Sequence, residues 1–263
     1  MNFFYRIKSF FKFLYKAKPL AGYGIHSPFM FNFATNILQT ANKKKVPLNE
    51  IKKLWKRLKS DNRSLNVIDY GTGSRKKSNT RKVSQIVQHA STQLHYCRLL
   101  FNVAQEVKPN TIIELGTSLG LSATAFSLAA PNSKIYTIEG SEEIARVAEE
   151  NFRQLELKNI IQYIGTFEEN LDNILKKIQH PVMVFIDGNH SFGPTMKYFK
   201  AFVENANYDS IIIIDDIHWS HQMESAWREI CNHPATTMKV DLFQMGIVFF
   251  KQGLPKMVYN ILF

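Results

Sequence analysis

Two aliphatic runs end in acids: "VMVFID" closes on Asp187, and "SIIIIDD" closes on Asp215 and Asp216. Short β-rich runs of this kind read as strands. In an open parallel sheet, ligands bind outside the carboxyl ends of the strands. Three carboxylates gathered there repel one another. A hard cation such as Mg²⁺ takes oxygen ligands, keeps waters that a substrate can displace, and relieves that repulsion. The plainer alternative is that Asp216 caps the next helix and Asp215 only accepts from backbone amides.

A second kind of chemistry is suggested twice. "VIDYGTGSRKKS" (67–78) and "IIELGTSLGLSA" (112–123) each run from an apolar stretch through an acid to glycines. The residues downstream of each copy separate them. After the second come an apolar helix, "LSATAFSLAA", and a strand, "KIYTIEG", that ends at Glu139. The turn and helix N-terminus then face a cofactor's charged group, and Glu139 is placed to accept from both ribose hydroxyls. The alternative for Glu139 is an exposed acid capping the helix "SEEIARVAEE". After the first copy comes "SRKKSNTRK", which cannot be a buried helix, and residues 89–95 offer no acid. The second copy is therefore the cofactor turn. It is not a nicotinamide fingerprint, because Ser118 and Leu121 stand where G-x-G-x-x-G from Gly116 needs glycine. No Gly-Lys-Ser/Thr comes after it, so it is not a P-loop either.

The elements that must position these residues are legible after Pro109. Strand runs at 111–115, 134–139, 160–165, 182–187 and 210–215 alternate with helices near 120–130, 142–155, 168–179, 193–204 and 220–231. This is the rhythm of an α/β fold with a doubly wound, mostly parallel sheet. "TMKVDLFQMGIVFFKQ" reads as a terminal antiparallel hairpin, giving seven strands. Upstream, "STQLHYCRLLFNVAQEVKPN" (91–110) reads as a helix with Ser91 or Thr92 as its cap. Residues 61–90 read as a polar, basic loop with a helical end. "AGYGIHSPFMFNF" leads into a helix through about Ala41, and "VPLNEIKKLWKRLKSD" is a Lys-rich helix. At the N-terminus, Phe3, Phe4, Ile7, Phe10, Phe11, Leu14 and Tyr15 fall near helical spacing, with Lys8, Lys12 and Lys16 four apart. That basic amphipathic helix either packs on the catalytic domain or lies on a membrane surface. We divide the chain into a basic, aromatic-rich helical extension, 1–89, and a cofactor-binding domain, 90–263.

"E-L-G-T-S-L-G-L-S" resembles the first motif of class I S-adenosylmethionine-dependent methyltransferases, especially the O-methyltransferase branch with E-x-G-x-x-x-G-x-S. The resemblance covers about residues 90–250 and implies a Rossmann-like methyltransferase fold. It implies that Glu114, Gly116, Ser118, Gly120 and Ser122 surround the methionine portion of the cofactor. It places Gly165, Thr166 and Phe167 along the adenine, and Asp187 beside the cofactor. Metal-dependent O-methyltransferases of the catechol, caffeoyl-CoA and macrolide-sugar types carry one Asp after the fourth strand and an Asp-Asp or Asp-Asn pair after the fifth. Asp187, Asp215 and Asp216 match that metal-binding arrangement. Catechol-type enzymes carry a catalytic Lys three residues past the first Asp, where this chain has His190. An imidazole can take a hydroxyl proton that a metal has acidified; Asn189 and His218 are alternatives. The implied reaction is in-line methyl transfer to a metal-held oxygen. No "NPPY" or "DPPY" stretch is present, which favours oxygen over a base nitrogen.

Composition sets the outer limits. The chain has 263 residues, 45% of them hydrophobic, ample for one large core. Cys97 and Cys231 cannot make a disulfide framework, so a reducing cytoplasm is expected. No apolar run approaches the roughly 20 residues of a membrane span, and the N-terminus lacks the features of a signal peptide. The net charge is +11, and 21 of the 33 Lys and Arg lie in residues 1–110 beside only four acids. Such asymmetry reads as two functional regions, the basic one solvated or drawn to nucleic acid, an acidic membrane face or an anionic substrate. "DYGTGSRKKSNTRK" is then a flexible basic loop, or a lid whose Arg75, Lys76, Lys77, Arg81 and Lys82 face an anionic acceptor. Three functions are compatible: a small-molecule O-methyltransferase, an RNA methyltransferase gripping phosphates with its basic half, and a non-enzymatic or membrane-associated module. The aromatic N-terminal helix also suits a homodimer.

Overall fold

The computed structural model describes residues 3–20, 25–42, 48–68, 78–89 and 91–263. The chain opens with α1 (Phe3–Lys16) and a two-residue strand, β1 (Lys18–Pro19). Then α2 (Pro28–Asn32) runs through a π-helical turn, Phe33–Leu38, into α3 (Gln39–Asn42). Ser27 caps α2 by accepting from the Met30 amide, with Pro28 at the first turn where its missing N–H costs nothing. Next come α4 (Asn49–Lys59), β2 (Ser64–Ile68), β3 (Ser78–Lys82), α5 (Val83–His89) and α6 (Leu94–Val107). The alternating part comprises β4 (Thr111–Leu115), α7 (Leu121–Ala129), β5 (Lys134–Glu139), α8 (Glu142–Gln154), β6 (Ile160–Ile164) and α9 (Phe167–Leu175). It continues with β7 (Val182–Ile186), α10 (Phe192–Glu204), β8 (Ile211–Asp215) and α11 (His221–Asn232), and ends with β9 (Met238–Asp241), β10 (Met245–Phe249) and β11 (Met257–Leu262).

The main sheet runs β1-β11-β9-β10-β8-β7-β4-β5-β6. Strands β6, β5, β4, β7 and β8 are parallel, and β10 is antiparallel to both β8 and β9. The terminal hairpin is therefore present, inside a nine-stranded sheet rather than a seven-stranded one. The two extra strands form its edge: "MVYNIL" pairs parallel with β9, and Lys18–Pro19 pairs with β11. Successive strands proceed from β4 to β6 in one direction and from β7 to β8 in the other. The order reverses between β4 and β7, so a crevice opens at their carboxyl ends.

Burial on both faces explains why these strands are continuous aliphatic runs. Ile112, Ile135, Phe185, Ile213 and Ile247 point to one core, shared with Met30, Leu38, Leu99, Leu100 and Phe126. Their neighbours Ile113, Tyr136, Val184, Ile212 and Val248 point to the other, shared with Leu171, Tyr198, Phe199 and Trp227. Residues 25–42 thus bury against the same sheet as the alternating part of the chain.

Two local expectations are corrected. Residues 64–82 include an antiparallel strand pair, β2 with β3, where a loop was expected. The cap of α6 is Gln93, with no side-chain cap bond. Ser91 and Thr92, the residue types suited to that role, are used elsewhere.

Candidate active site at the strand ends

The turn after β4 lies against the loop after β7. Gly116 has φ +108°, and a Cβ there would collide with the Asp187 carbonyl oxygen. Glycine is required both for the backbone and for this approach. Gly120, φ +83°, starts α7 with its Cα facing the Phe152 ring, 2.5 Å from where a Cβ would lie. Ser118 completes the turn at φ 48°. Its amide donates to Glu139 Oε2 at 2.8 Å, while the Ser141 amide donates to Oε1 at 3.0 Å. Glu139 therefore joins the glycine turn to the start of α8.

Glu114 points into the interior and is fully buried. Thr137 donates to its Oε2 at 2.6 Å, but Oε1 has no protein partner. Burial pushes its pKa up to about 7, against the pull of Ser122 and Thr137. An unpartnered carboxylate oxygen behind the glycine turn fits a cationic group such as the cofactor's ammonium. Ser122 is buried in the first turn of α7.

After β6, Gly165 has φ +124°, and Thr166 caps α9 in a capping box with Glu169. Phe167, first in that helix, covers Gly188, where a Cβ would come within 2.7 Å of its ring. Its edge meets Tyr198, with ring centroids 5.4 Å apart at 85°. These residues line one cleft of about 870 Å³ with Gly116, Ser118, Glu139 and Asp187.

The acids converge at the far side of this cleft. Asp187, Asp215, Asp216 and His190 all line it. His190 Nε2 lies 3.8 Å from Asp187 Oδ1 and 3.9 Å from Asp216 Oδ2. Desolvation first, then repulsion from Asp216, holds the Asp187 pKa above the usual carboxylate range. Asp215 is also raised, by desolvation first and then by both neighbouring acids. Asn189 and Asp216 have positive φ, 54° and 55°, the kind of backbone strain that gathers at functional sites. Among the described residues, no three His, Cys, Asp or Glu side chains stand as a ready metal cage. The donor set of carboxylate oxygens is nonetheless the chemistry of a hard cation, and raised carboxyl pKa values are what such a cation would relieve.

Several residues were missed in the sequence. Gln244, at the β9–β10 turn, donates through Nε2 to both Asp215 and Asp216, and accepts from Arg6 Nη2 at 2.8 Å. Arg6 itself stacks 4.9 Å over Trp219. The Thr92 hydroxyl donates to Asp187 at 3.4 Å, and Ser91 and Ser118 hydroxyls are 3.0 Å apart. Serine and threonine beside a helix start give no signal of so distant a partner. His218 is turned away from the cleft: its Nε2 meets Asp241 at 2.9 Å, and its ring stacks on Phe243. It is removed from the candidate bases. Of the basic loop, Arg81 lines the cleft together with His89, while Arg75, Lys76 and Lys77 lie outside the described residues.

Residues 113–217 match the family described as "Methyltransferase domain". The O-methyltransferase hkm8 of Aspergillus hancockii is 28% identical over 137 residues, covering 50% of this chain and 53% of that protein. The chain thus spans about half the length of this curated relative. The SAH-bound methyltransferase PaMTH1 of Podospora anserina superposes with a TM-score of 0.59 at 16% identity, covering 87% of this chain and 100% of that one. The Bacillus cereus O-methyltransferase in complex with SAH gives a TM-score of 0.58 at 15% identity, over 82% and 97%. The fold is shared with these proteins.

Proposed function

We propose that this chain is a class I methyltransferase that methylates a hydroxyl oxygen of a small, anionic acceptor, a reading supported by the matched domain and the shared fold. S-adenosylmethionine is the donor in this reading, with a divalent cation assisting. The SAH carried by the two solved neighbours supports the cofactor. When bound, it supplies an electrophilic methyl group. The single observation behind the reading is the double position of Asp187. Its carbonyl oxygen abuts Gly116 of the cofactor turn, and its carboxylate faces His190 and Asp216. Donor and acceptor sites therefore meet at one residue.

In this reading, Glu114 and Ser122 hold the methionine end, Glu139 holds the ribose, and Gly165, Thr166 and Phe167 border the adenine. Asp187, Asp215 and Asp216 would hold a cation such as Mg²⁺, whose chemistry is to acidify a bound hydroxyl. His190 Nε2 takes the hydroxyl proton. Tyr96, Trp219 and Arg6 wall the acceptor side. Most of the rate gain then comes from alignment.

Calorimetric titration of S-adenosylmethionine into the wild type and Glu139→Ala, with and without Mg²⁺, tests this. Binding that the substitution abolishes is expected. No binding by the wild type would overturn the reading. A screen of diols in Mg²⁺ and in EDTA then tests the metal: equal turnover in both removes it.

A further inference from the structure

We infer that the outward face of α1 docks on an anionic lipid surface, an inference that stands apart from the methyl-transfer reading. The inward face of this helix is already occupied. Phe13 and Ser9 are buried, and Phe13 packs against Phe243 with ring centroids 5.5 Å apart. The Tyr5 hydroxyl donates to Glu224, and Arg6 is held by Gln244 and Trp219. These contacts fix the helix on the protein without using its other side.

The other side is apolar and open. Ile7, Phe11 and Tyr15 recur every four residues, so they form one stripe. They are 40%, 65% and 93% exposed. Beside them Lys8, Lys12 and Lys16 form a parallel exposed row. Phe11, Lys12, Tyr15 and Lys16 also border a groove with exposed Val258 of β11 and Arg228 of α11. The acids nearest this face are engaged: Glu224 by Tyr5 and Ser9, and Asp241 by His218 and Trp227.

Large exposed aromatic patches on soluble surfaces mark a docking site. The lysine row selects the occupant. A second copy would bring the same lysines against these ones, at a cost of like-charge repulsion. An anionic bilayer satisfies both features at once: rings enter the headgroup boundary while ammonium groups stay at the phosphates. Among the described residues, no helix is long and apolar enough to cross a membrane, so α1 would lie on the surface.

The test is co-sedimentation of the full chain with phosphatidylcholine vesicles, with and without phosphatidylglycerol. Binding to the anionic vesicles alone is expected. Lys8→Gln and Lys12→Gln should each weaken it about fivefold. Phe11→Glu with Tyr15→Glu should abolish it while leaving the melting temperature unchanged, since both side chains are exposed. Failure to bind either vesicle, or equal binding to both, overturns the proposal. So does a solution dimer that the Phe11→Glu, Tyr15→Glu variant splits, which would assign the face to a second copy.

Discussion

Glu114 shows what a single residue costs in this fold. Its carboxyl is buried, one oxygen lacks a partner, and its pKa is raised to about 7 from 4.5. Between those values the native carboxyl keeps its proton while the unfolded chain has released it. The unfolded state binds fewer protons there, so stability falls as pH rises through that window. Above about pH 7 the whole cost is present, roughly 3 kcal/mol at ~1.4 kcal/mol per pKa unit. Glu114→Gln should therefore match the wild type near pH 5 and exceed it near pH 8. Thermal unfolding at both pH values checks this, and the same difference at both would contradict it. Gly116 fails in the opposite sense. Alanine there meets the Asp187 carbonyl and a backbone of φ +108°. Gly116→Ala should lose about 1–3 kcal/mol from backbone strain alone, read by urea denaturation.

At the scale of elements, legibility followed burial. Strands β4, β7 and β8 are buried at every position, so their aliphatic runs and terminal acids could be read directly. That is why Asp187, Asp215 and Asp216 stand out at the ends of β7 and β8; Glu139 ends β5, whose interior positions are buried in the same way. The pair β2 and β3 was hidden because each strand is five residues long and "SNTRK" carries no apolar residue to mark a buried face, although "SLNV" alternates. Part of its anchorage is remote: Glu143 of α8 accepts from the Asn66 amide at 2.5 Å. The two histidines near the acids were inseparable by spacing, and only the fold sends His190 into the cleft and His218 to Asp241. The same reasoning divides α1. Phe13 is 5% exposed and Phe11 is 65% exposed. Phe13→Ala should cost about 3 kcal/mol and open α1 to protease, whereas Phe11→Ala should stay within ~0.5 kcal/mol. Limited proteolysis beside thermal melts distinguishes the two, and equal losses would mean that the outward face is packed after all.

For the whole molecule, the charge asymmetry acquires a location. The basic half sends Arg6, Arg81 and His89 to the cleft, and the later half supplies Asp187, Asp215, Asp216 and Glu139. Arginines and acids lining one cleft suit an acceptor that carries an anionic group as well as the hydroxyl to be methylated. Replacing Arg81 and Lys82 together by alanine should raise the acceptor KM and leave the Kd for S-adenosylmethionine unchanged. Equal loss of both would mean that these residues only support the fold. Salt separates the size of the acceptor. An RNA gripped along the basic half would lose affinity with a slope of about −0.7 per phosphate contacted on a log–log scale. A small acceptor with one or two charges should give a shallow slope, because few counterions are released. The cleft is lined by only two arginines among the described residues, too few for a long phosphate track. We therefore expect KM to change little between low and physiological salt. A steep slope, together with RNA binding at physiological salt, would transfer the acceptor from a small molecule to a nucleic acid while leaving the cofactor side of the site as it stands.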